Sequence, residues 1–230
     1  LSSLWTTQYS TIAQANYILK DIDADKGLFT GVNYQLVKGE ALATRALLHF
    51  DLLRLFAASP VGNPTEDSPS IPYMTAFTVN PGKVLPRAEV LALLEKDLKE
   101  AEALLAVYPT IDQIKDNAAN TSLEVFTMFR QNRLNVWAVK ALLARIYLYR
   151  GDKVNALKYA KEVIDSQKFE FVNGNTNTVN AASTTSNAIF STEHIFSIYK
   201  SNLKELSDRY FKTEAGAPEN EDLFTTLTNL

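Results

Sequence analysis

Residues 39–57 read GEALATRALLHFDLLRLFA. Wound as a helix, Leu42, Ala43, Ala46, Phe50, Leu53 and Ala57 share one side. Ala41, Leu48, Leu52 and Leu55 fall roughly opposite. Glu40, Thr44, Asp51 and Arg54 form one polar edge between these faces; Lys38, Arg45 and His49 form the other. A helix on a protein surface carries one apolar stripe. Two stripes predict a helix held between neighbouring helices, as in stacked helical hairpins. Such an architecture points to a scaffold or binding protein before it points to an enzyme.

The pattern extends in both directions. Upstream, Trp5, Tyr9, Ile12, Asn16 and Leu19 repeat at helical spacing, predicting a helix over Ser2–Asp23 that ends near Gly27. The quoted stretch belongs to a second helix, Tyr34–Ala58. Downstream, Ser59–Pro86 holds six prolines, which excludes a helix or a central strand and predicts a long loop. A loop of this length is often functional. Arg87–Tyr108 is a third helix, buried along Val90, Leu94, Leu98, Ala101 and Leu105. Thr110–Asn132 is ambiguous. Leu134–Arg150 is apolar almost all round and is expected to be central; Gly151-Asp152 turns the chain into a fifth helix, Lys153–Ser166. Phe169–Val172 and His194–Tyr199 read as two short strands flanking a polar Asn/Thr/Ser stretch. The fold class is therefore mainly all-α, in helical hairpins with long loops and a small two-stranded β element.

Composition narrows the function. A net charge of -3 over 230 residues argues against a dedicated nucleic-acid binder, which needs a basic face. The absence of cysteine excludes disulfides and thiolate metal sites. His49 and His194 are the only histidines and lack metal-ligand spacing, so no metal site and no cofactor are expected. No phosphate loop, nucleophile elbow or H-E-x-x-H occurs, so no catalytic residue is assigned. His49 is expected to be an ordinary surface or interhelix histidine. Arg45 and Glu40 are expected in structural ion pairs or bonds to a neighbouring helix end, in preference to ligand contacts.

Ala144, Tyr147, Gly151, Ala156 and Ala160 match the spacing of small residues, aromatic wedge and turn in a tetratricopeptide unit. With that repeat grammar in place, the chain resembles the SusD/RagB family. The resemblance rests on GEALATRALLHFDLLRLFA together with WTTQYSTIAQANYIL (Trp5–Leu19), LPRAEVLALLEKDLKEAEALL (Leu85–Leu105) and AVKALLARIYLYRGDKVNALKYAKEVI (Ala138–Ile164). IPYMTAF (Ile71–Phe77) and STEHIFSIY (Ser191–Tyr199) add to it, in the same order. It implies a tetratricopeptide-like domain over 1–230, expected to be a fragment of a longer lipoprotein whose signal, lipid-bearing cysteine and C-terminal part lie outside this sequence.

The resemblance also implies a non-catalytic role at the outer-membrane surface. The protein would bind oligosaccharide or another nutrient and deliver it to a SusC-like TonB-dependent transporter. Its only tie to the membrane would be the lipid anchor. The alternative is a tetratricopeptide-like scaffold that binds a protein and has no glycan site. Glycan binding needs exposed aromatic rings beside planar hydrogen-bonding groups. Among the loop aromatics Tyr73 and Phe77, Tyr73 is the first candidate, because a proline-rich loop should bury little of it. Asn80 and Trp5 complete the candidate ligand set.

Overall fold

The computed structural model describes residues 2–60, 68–110, 127, 130–171, 191–198 and 205. Among the described residues five α-helices carry the fold: α1 (Ser2–Asp21), α2 (Asn33–Phe56), α3 (Arg87–Leu105), α4 (Val136–Arg150) and α5 (Lys153–Asp165). Each packs on the next in chain order, α1 on α2, α2 on α3, α3 on α4 and α4 on α5. These helices lie in one compact unit, Leu1–Ser197; Ile198–Leu230 form a second, in which Glu205 is helical.

The two-faced reading of α2 holds for the residues that meet neighbours. Leu42, Ala43, Ala46, Phe50 and Leu53 are buried on one side, Ala41 and Leu52 on the other. Leu55 is exposed, near the helix end. The polar edge is not a solvent face along its length: Arg45 and His49 are both buried, which places His49 between helices. Gly39 lets α3 approach, since a Cβ there would stand 2.7 Å from Leu105 Cγ.

The helix ends follow local chemistry. Pro86 directly precedes α3. Asn135 caps α4, its Oδ1 accepting the N–H groups of Trp137 and Ala138, each at 3.0 Å. Gly151 closes α4 with φ 87°, a left-handed conformation that glycine adopts without strain. Asp152 then caps α5 through the Asn155 N–H.

The two-stranded sheet exists but not where the sequence placed it. It joins β1 (Pro69–Pro72) to β2 (Val84–Pro86), antiparallel, with Pro69 opposite Pro86 and Pro72 opposite Val84. Both strands are edges, and an edge tolerates proline because its outer side needs no ladder donor. The described residues of the expected strands, 169–171 and 194–198, are not extended ladders. Their backbone is committed elsewhere: Ile195 C=O accepts from Asn135 Nδ2 at 2.9 Å, and Ser197 N–H donates to Gln131 C=O. Most of the ambiguous stretch 110–132, the polar stretch after Phe171 and nearly all of the last thirty residues lie outside the described residues.

Candidate functional site

The segment after β1 lies over the helices and is held by their polar side chains. Tyr9 of α1 donates its hydroxyl to Pro72 C=O at 2.7 Å. Asn16, two helical stripe positions further on, donates through Nδ2 to the carbonyls of Met74 (2.9 Å) and Ala76 (3.4 Å). Arg45 of α2 binds Asp97 of α3 through Nε and Nη2, both at 2.7 Å. Its Nη1 reaches Asn16 Oδ1 at 2.9 Å. Asp97 also accepts the Tyr73 hydroxyl at 2.6 Å. One buried fork thus joins three elements and the loop, with the carboxylate and guanidinium neutralising each other.

His49 completes this cluster. Its ring stacks on Tyr73 with centroids 3.9 Å apart. Nε2 accepts from Met74 N–H at 3.0 Å, while Nδ1 lies 2.8 Å from Arg45 C=O. An amide can only donate and a carbonyl can only accept, so the ring is neutral with its proton on Nδ1. Burial is the main cause holding its pKa down, at about 4. Burial first, and Asp97 beside it, push the Tyr73 phenol well up, so it stays a neutral donor.

The expected ion pairs are present: Glu40 pairs with Arg130, and Arg45 with Asp97. Between α3, α4 and α5, Glu95 joins Tyr147 and Arg150, and Lys140 bridges Glu102 and Glu162. Among the described residues no group of three or more His, Asp or Glu side chains is arranged to hold a metal ion.

The three sequence candidates fare differently. Tyr73 is 8% exposed, which corrects the expectation of an open ring. The loop does not bury Tyr73 by itself; α2 and α3 do so, through the His49 stack and the Asp97 bond. Trp5 is half-buried, packed on Tyr9 (4.8 Å) and edge-on to Phe56 (4.9 Å). Asn80 is exposed, with its N–H taken up by Thr78 Oγ1. Trp5 and Tyr73 are linked through Tyr9 and His49. Among the described residues, the aromatic pair that does face solvent is Tyr17 with Phe77, rings 5.2 Å apart at 68°. Tyr17 escaped the sequence reading, although its place off the apolar stripe of α1 is the signal that would have found it.

A family described as "Starch-binding associating with outer membrane" (SusD-like_3) matches residues 1–148. The chain belongs to the SusD-like family. Solved structures agree in fold. A putative sugar binding protein from Bacteroides vulgatus is 25% identical with a TM-score of 0.62, covering 85% of this chain and 40% of its own. A SusD superfamily protein from Bacteroides thetaiotaomicron is 23% identical with a TM-score of 0.58, covering 73% of this chain and 33% of its own. A laminarin binding SusD-like protein is 22% identical with a TM-score of 0.54, over 74% of this chain and 32% of its own. This SusD-like chain therefore spans about a third to two-fifths of these relatives. The search of curated proteins gives no match.

Proposed function

We propose that this SusD-like protein binds oligosaccharide at the outer-membrane surface without transforming it, and hands it to a SusC-like TonB-dependent transporter. Lipid anchoring of the full-length protein would hold it there. The observation that carries this reading is the family match over residues 1–148, whose description names starch binding and outer-membrane association. The likeness to a laminarin-binding protein supports the same ligand class. Binding, not catalysis, suits the described polar groups: Arg45, Asp97, His49 and Tyr73 are tied to one another and hold a loop in place.

The scaffold alternative has one feature in its favour. Val154, Leu157 and Ile164 of α5 are exposed, and Ile164 also lines a cavity of about 650 Å³ together with Phe169, Phe171 and Ile195. Affinity electrophoresis of the full-length protein in soluble starch, laminarin and xyloglucan tests the first reading, with retardation by at least one expected. Purification from native membranes tests delivery, with a large TonB-dependent barrel expected to co-elute. Unretarded protein that elutes with soluble partners alone would favour the scaffold.

A further inference from the structure

We propose that Tyr17 and Phe77 form a stacking platform for a neutral pyranose ring of a glycan chain, an assignment that rests on the glycan-binding reading above. Both rings are large and open, Tyr17 60% and Phe77 55% exposed, and they meet edge to face. Scattered single exposed apolar residues need no explanation, but here two rings from distant parts of the sequence are brought together. Their pairing follows from the buried clamp. Asn16 fixes the carbonyls of Met74 and Ala76 on α1. Tyr17 is the residue after Asn16, and Phe77 the residue after Ala76. Asn16 is itself 1% exposed and locked by Arg45, so the clamp cannot swing. The platform is therefore ordered before any ligand arrives, and binding spends little entropy in arranging it.

The surroundings suit a sugar better than a wholly apolar partner. Tyr17 also borders a cavity of about 270 Å³ that includes Asp21 and Asp25 in its lining, a small space compared with drug-sized pockets of roughly 300–1,000 Å³ and scaled to one ring. Lys20 and Asp21 lie one helical turn beyond Tyr17, exposed and 3.7 Å from each other. A pyranose presents C–H groups on one face and hydroxyls around its rim. Aromatic faces meet the first, and carboxylate and ammonium groups exchange hydrogen bonds with the second. The cavity shares Ile18 and Val37 with a second one of about 320 Å³, whose lining includes Thr11, Gln14 and Thr44, polar side chains further along the α1–α2 seam.

The test uses the full-length protein and whichever of soluble starch, laminarin and xyloglucan retards it most. Tyr17→Ala and Phe77→Ala should each weaken binding about tenfold, with the melting temperature held within about 2 °C. Tyr17→Phe keeps the ring and should bind like the unaltered protein. Unchanged affinity in both alanine variants would overturn the platform while leaving glycan binding intact. A melting temperature that falls with the affinity in both would show that the rings only pack the loop, and would overturn it as well. If the unaltered protein is retarded by none of the three, the glycan reading fails and the platform with it.

Discussion

Arg45, His49 and Asp97 sit at sequence positions where a helical pattern shows only polar residues, and pattern alone cannot tell a wet edge from a buried one. What decides is the partner: Asp97 lies 52 residues from Arg45, and Tyr73 24 residues from Asp97. The ion pair was legible as a type of contact, but its mates were not. Tyr73 shows the consequence for stability. Truncating a buried aromatic costs about 3–5 kcal/mol, and its loss also frees a charged acceptor. Tyr73→Ala should lower the unfolding free energy by that amount, seen as a lower urea midpoint at unchanged slope, and Tyr73→Phe by about 1 kcal/mol. A midpoint equal to the parent's in Tyr73→Ala would mean the ring is not core. His49 gives a pH effect whose sign is fixed. Its folded pKa of about 4 lies below the unfolded value of about 6.5. Between the two, the unfolded chain binds a proton that the folded chain refuses, so stability rises with pH. The contribution is complete above about pH 6.5 and is withdrawn as pH falls toward 4, by a few kcal/mol. His49→Gln should flatten the stability profile in that window relative to the parent; an identical slope would show that the imidazole does not stay neutral.

Helices were the most legible elements because their evidence is repeated every turn. All five fall within a few residues of the ranges their periodicity predicts, and Gly151 marks the turn its sequence announces. Strands were misplaced because three or four residues carry little pattern and a strand exists only through its partner. Phe169–Phe171 has the composition without the partner, whereas Pro69–Pro72 has the partner despite its prolines. The α2–α3 crossing supplies a test at this scale. Alanine at Gly39 gains about 1 kcal/mol of helix propensity but forces a Cβ toward Leu105, which is 1% exposed. The clash is with the branch carbon, not a flexible tip, so overpacking of about 1–3 kcal/mol prevails. Gly39→Ala should melt about 2–4 °C lower than the parent; a rise would show that α3 can move aside.

At the scale of the whole molecule, the order of helices was readable from the sequence and the closure of the chain was not. No periodicity announces that residues 195–197 return to the start of α4, because the ties are a few hydrogen bonds, from Asn135 to Ile195 and from Ser197 to Gln131 and Asn132. Asn135 caps that helix with its oxygen and, with its Nδ2, holds the carbonyls of Arg130, Arg133 and Ile195, the last from 60 residues away. A carboxamide used at both ends makes distant amides open as one event. In deuterium exchange, Trp137, Ala138 and Ser197 should share one opening free energy, and Asn135→Ala should speed all three together. Independent rates in the parent would mean that the returning segment frays without disturbing the helix. The last turns of chain before residue 198 would then be a loosely worn cuff, not a fastening, and a protease would find that out before a spectrometer did.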